Sequence, residues 1–202
     1  MSENTTPKAR PDVRDPLVVD VHDLGRRPGS MRHWRCVVPA PTAIGLELVG
    51  VPSGAPLALD LRLESVHEGV LVTGGIRAPL RGECARCLDA FTGEFVGSIC
   101  ELFAYPNSVT DGTTDQDEVY RLVDDLLDLL PVVRDTVVLE LPMTPLCRPD
   151  CAGLCPWCGQ RLDDLPAGHA HRQLDPRWSA LAARADAEHR PGAEHRAEPE
   201  KE

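Results

Sequence analysis

Four cysteines stand within twelve residues, Cys147-Arg-Pro-Asp-Cys151-Ala-Gly-Leu-Cys155-Pro-Trp-Cys158-Gly159, and a further pair, Cys84-Ala-Arg-Cys87, lies about sixty residues earlier. Thiols at this density pair with one another, ligate a metal or carry redox chemistry, and each choice restricts the fold. The polar start, Met1-Ser-Glu-Asn-Thr-Thr, lacks the basic and apolar regions of an export signal, and no apolar run is long enough to cross a bilayer. A cytoplasmic chain with no membrane partner is therefore expected, and a reducing compartment disfavours disulfides.

Zinc takes four ligands in a tetrahedron, and two thiolates separated by two residues in a tight turn can both reach one ion. Gly159 suits the positive φ that closes such a turn and Pro156 stiffens it, so Cys155-Pro-Trp-Cys158-Gly reads as a zinc knuckle. Cys84-Ala-Arg-Cys87 ends a predicted strand, where a second knuckle belongs; a redox dithiol would want a helix N-terminus to depress one thiol. Six candidate ligands exceed what one ion needs. The first choice is the compact set Cys147, Cys151, Cys155 and Cys158. The competing choice takes Cys84 and Cys87 with two of those four and closes a loop of about sixty residues, which adds more to stability because loop entropy grows with length. Cys36 and Cys100 lie apart in apolar surroundings and read as small core residues. His169 and His171, in a loop-like segment just past the cluster, are left out because the thiols suffice.

Period-two alternation cut by Gly and Pro predicts β-strands near residues 43–49, 57–66, 69–78, 81–84, 91–103 and 119–123. In Leu57-Ala-Leu-Asp-Leu-Arg-Leu-Glu the four leucines share one face, so that face is buried. Residues 107–117 read as a polar loop. Asp128 is expected to cap a helix running to about Leu141, with Pro131 in its first turn and Leu130, Val133, Val137 and Leu141 on one face, and Pro142 ends it. The expected fold is α+β, an antiparallel sheet or partly open barrel with one main helix and a cysteine-rich zinc-knuckle segment over residues 143–164. Residues 1–15 are expected to be disordered, 16–166 to form the domain, 167–189 to carry a short helix starting at Asp175-Pro176, and 190–202 to be a disordered tail.

The net charge of −11 argues against a protein that coats nucleic acid by counterion release. An all-thiolate ligand set marks a closed structural site, whereas catalytic zinc keeps an open position. No Gly-rich phosphate loop, Gly-x-Ser-x-Gly or His-Glu-x-x-His occurs, so no enzyme is expected.

The order Cys84-Ala-Arg-Cys87-Leu, Leu127-Asp-Leu-Leu-Pro-Val-Val-Arg-Asp135, Leu139-Glu-Leu-Pro-Met143, Pro145-Leu-Cys147 and Gly153-Leu-Cys-Pro-Trp-Cys-Gly159 resembles the YceD family over residues 18–165. Leu24-Gly-Arg-Arg-Pro-Gly-Ser30 is similar to the version in high-GC Gram-positive bacteria. The resemblance implies a role in accumulation or processing of large-subunit ribosomal RNA, which with the closed thiolate set gives a non-enzymatic factor. The partner would be that RNA or a pre-ribosomal particle, with Arg26, Arg27 and Arg86 as candidate phosphate contacts. The alternative is an acidic module that escorts a basic large-subunit ribosomal protein.

Overall fold

The computed structural model describes residues 10–115 and 119–171, with single residues Arg177, Leu181 and Arg184 beyond them. Apart from those three residues, the expected helix after Asp175 lies outside the described residues, as do the tail from residue 190 and the first nine residues. The chain divides into two compact units between Gly153 and Leu154.

The first unit is a mostly antiparallel sheet that forms a half-barrel around one main helix. Its strands are β1 (Val18–Asp20), β2 (Met31–Pro39), β3 (Ile44–Gly45), β4 (Val49–Val51), β5 (Pro56–Ser65), β6 (Gly69–Glu83), β7 (Ala90–Ala104), β8 (Tyr120–Arg121) and β9 (Leu126–Asp128). The helices are α1 (Val109–Thr113) and α2 (Leu130–Glu140). β6 is the spine: β7 pairs along one side, while β5 and then β4 pair along the other. β2 adds to β5, β3 to β4, and β8 joins β7 in parallel. β1 and β9 form a separate two-stranded ribbon.

Leucines 57, 59, 61 and 63 are buried on the inner face of β5, as their alternation requires. Val133, Val137 and Leu141 of the α2 stripe are buried against the sheet with Val132, and α2 lies on β7 and β3. Leu129 is the N-cap of α2, and the Asp128 carboxylate beside it accepts the Leu130 N–H at 3.0 Å. Leu141, held extended ahead of Pro142, ends the helix.

Several expectations need correction. The segment expected as one strand at 43–49 is split between β3 and β4 by a tight turn, with the Leu46 N–H donating to the Val49 carbonyl at 2.8 Å. The two strands expected at 69–78 and 81–84 are one, because Pro79 falls where β5 has ended and β4 has not begun, so its missing N–H breaks no ladder bond on that side. Residues 109–113, expected as loop, form α1, whose N-cap Ser108 hydroxyl accepts the Asp111 N–H at 3.1 Å. Cys100 is exposed: strand alternation sends Ile99 inward and Cys100 outward. Cys36 is half-buried at the rim of the core.

Candidate metal centre

Cys84 follows the last residue of β6 and opens the turn that reverses the chain into β7. Within it the Leu88 N–H donates to the Cys84 carbonyl at 2.9 Å, and the Cys84 N–H to the Asp89 carbonyl at 2.9 Å. Leu88 holds φ +62°, a left-handed conformation that glycine adopts more readily. This knuckle points Cys84 and Cys87 to the same side, and the segment after α2 brings Cys147 and Cys151 to meet them. The Ala85 N–H donates to the Pro145 carbonyl at 2.8 Å, which fixes that segment against the turn.

The four sulfurs of Cys84, Cys87, Cys147 and Cys151 lie within 4.8 Å of one another. Cys84 and Cys151 are 3.7 Å apart and Cys87 and Cys147 are 3.6 Å apart, sulfur to sulfur. A tetrahedral zinc thiolate site with bonds of about 2.3 Å separates its sulfurs by about 3.8 Å, whereas a disulfide would need about 2.05 Å. Cys84, Cys87 and Cys151 are buried and Cys147 is half-buried, so the group is closed to solvent on most sides.

The surroundings treat a thiolate differently at each sulfur of this site. Burial works against the Cys84 thiolate, yet the N–H groups of Cys147, Cys87 and Arg86 aimed at its sulfur outweigh burial and bring its pKa down to about 6. The Asp89 N–H favours a thiolate at Cys87 too, but burial and the neighbouring thiols of Cys84, Cys147 and Cys151 push it up to about 12. Burial raises Cys147 as well. A divalent ion between the four sulfurs would offset the mutual repulsion of thiolates ligating it.

Arg86 donates from Nη1 to the Cys151 carbonyl at 2.9 Å, so this guanidinium braces the ligand loop. Gly153, at φ +82°, lies so close that a Cβ there would meet the Cβ and carbonyl oxygen of Arg86 at 3.1 Å. Arg26 pairs with Asp125 at 3.4 Å and stacks over the Tyr105 ring at 4.9 Å. Arg27 is exposed on the Gly- and Pro-bounded turn. Two of the three candidate phosphate contacts are thus engaged within the protein.

In the second unit, Cys155 and Cys158 group with His169 and His171, again with all four ligand atoms within 4.8 Å of one another. The four thiols of the 147–158 segment therefore divide, two to each group. His169 and His171, set aside in the sequence reading, carried a signal: a His-x-His pair eleven residues past the last thiol of an unfinished knuckle.

The profile described as "Large ribosomal RNA subunit accumulation protein YceD" matches residues 72–183, a span that includes every residue of both groups. The chain belongs to the YceD family. An uncharacterized protein of Mycobacterium tuberculosis is 53% identical over 181 residues, 90% of this chain and 87% of that one. One from Mycobacterium leprae is 48% identical over 82% of this chain and 76% of its own length, in keeping with the high-GC Gram-positive type. The uncharacterized YlbN of Bacillus subtilis is 29% identical over 60% of this chain and 67% of its own. No solved structure matches. The YceD family description links its members to accumulation of large-subunit ribosomal RNA. Among the described residues, no helix is long and apolar enough to cross a membrane.

Proposed function

We propose that this chain is a cytoplasmic, non-enzymatic factor for large ribosomal subunit biogenesis that supports accumulation or processing of large-subunit ribosomal RNA. The family match over residues 72–183 carries this reading. Its cysteine centre is a structural zinc site held by Cys84, Cys87, Cys147 and Cys151. Four sulfurs and no histidine or carboxylate leave no open coordination position for a substrate, which supports a staple and speaks against hydrolysis. The staple joins the β6–β7 turn to the segment that follows α2, across about sixty residues of chain.

A second reading, a module that escorts a basic large-subunit ribosomal protein, has observations of its own. The chain carries a net charge of −11, and Arg26 and Arg86 are occupied by Asp125, Tyr105 and the Cys151 carbonyl. Pull-down of the tagged chain from cells, with and without nuclease, tests both. Recovery of large-subunit RNA that weakens steeply with salt supports direct RNA binding. One basic ribosomal protein retained after nuclease supports the escort. Recovery of neither RNA nor any large-subunit protein contradicts the ribosomal assignment.

A further inference from the structure

The continuously described part of the second unit, residues 154–171, has almost no core. Of residues 154–171, all of which are described, only Cys155 is buried, and Trp157 is 58% exposed. A segment this short cannot bury enough apolar surface to hold one conformation; small folds of this kind rely on disulfides or a metal. Its cysteines are free thiols, so a disulfide does not do it.

Its backbone repeats the knuckle of the first centre bond for bond. The Gly159 N–H donates to the Cys155 carbonyl at 2.9 Å and the Cys155 N–H to the Gln160 carbonyl at 2.8 Å, as Leu88 and Asp89 do at Cys84. Gly159 holds φ +69°, the counterpart of Leu88 at +62°. A bridge between Leu154 and Arg161 closes the base of the turn. The N–H groups of Cys158 and Trp157 aim at the Cys155 sulfur.

A knuckle supplies two ligands and needs two more. A turn through Gly168 at φ +84°, with the His169 N–H donating to the Pro166 carbonyl at 3.0 Å, returns the chain to the knuckle. The Cys158 sulfur is then 3.6 Å from His169 Nε2, and His169 Nε2 is 2.8 Å from His171 Nε2. Around a tetrahedral zinc the sulfur to nitrogen edge is about 3.5 Å and the nitrogen to nitrogen edge about 3.3 Å, so the first already fits and the imidazoles part by about half an ångström.

We propose that Cys155, Cys158, His169 and His171 bind a second zinc ion, and that this ion is what folds the segment from Leu154 to His171. The site is independent of the ribosomal reading and of the four-thiolate centre. It is a structural Cys2His2 site made within one short stretch of chain, so it forms and releases its metal separately from the half-barrel.

The test is zinc counting on the full chain, purified under reducing conditions with zinc present, for the native sequence and for His169→Ala/His171→Ala. Native mass spectrometry gives the count, and circular dichroism checks that the sheet is kept. Two zinc ions in the native chain and one in the variant are expected. One ion falling to none also supports this second site, while removing the four-thiolate centre. Two ions in both, one in both or none in both overturns it. A companion variant, Cys158→Ser, leaves the histidines in place and is expected to lose one ion as well; retention of two contradicts the assignment.

Discussion

Leu88 and Gly159 hold the same place in two turns of one design, and only one of them is glycine. A leucine at φ +62°, 62% exposed, carries left-handed strain with little burial in return, so Leu88→Gly is expected to raise stability by about 0.5–1 kcal/mol. Gly153 is the opposite case, because its φ of +82° strains any side chain and its approach to Arg86 crowds one. Gly153→Ala is expected to lower stability by about 1–2 kcal/mol. Thermal unfolding of the zinc-loaded protein checks both. That cysteines would cluster here was legible from their spacing, since a Cys-x-x-Cys turn is a local matter. How Cys147 and Cys151 divide from Cys155 and Cys158 was not, because it depends on where α2 returns the chain relative to the β6–β7 turn. The brace from Arg86 to the Cys151 carbonyl was hidden for the same reason.

At the level of elements, strong alternation was readable and weak alternation was not. β5 and α2 announce themselves by leucines every second residue and valines every third or fourth. β2, Met-Arg-His-Trp-Arg-Cys-Val-Val-Pro, pairs with β5 at the edge of the sheet and buries only Val38 fully; Trp34, Cys36 and Val38 alternate toward the core, but the inward Arg32 and the exposed Met31 and Val37 blur that period in the sequence. The elements also carry separable stabilities. Removing zinc from the four-thiolate centre with a chelator is expected to speed amide exchange in residues 84–89 and 145–151 while β5 stays protected; equal acceleration throughout would mean the staple holds the whole half-barrel. Asp111 of α1 pairs with Arg121 of β8. That guanidinium, with the Asn107 N–H, holds the Asp111 carboxyl below the usual carboxylate range. The pair therefore contributes fully above the unfolded pKa of about 3.9, and its contribution is lost as pH falls through the lowered folded value. Asp111→Asn is expected to cost about 0.5–1 kcal/mol at neutral pH and progressively less as pH falls below the unfolded pKa, as urea unfolding across that range would show.

For the whole molecule, the half-barrel supplies the frame, and a metal held by the four-cysteine group would tie its β6–β7 turn to the chain beyond α2. Neither composition nor spacing pointed to ribosomes; that link came through family motifs distributed from Cys84 to Gly159 and through the matching profile. The proposed role in large-subunit ribosomal RNA is tested most directly by the ratio of large to small ribosomal subunits in cells lacking the gene. Sedimentation profiles at low temperature and slow growth are expected to show a lowered ratio, restored by the native chain and not by Cys84→Ser/Cys151→Ser. A normal ratio in the deletion strain under those conditions would contradict the account.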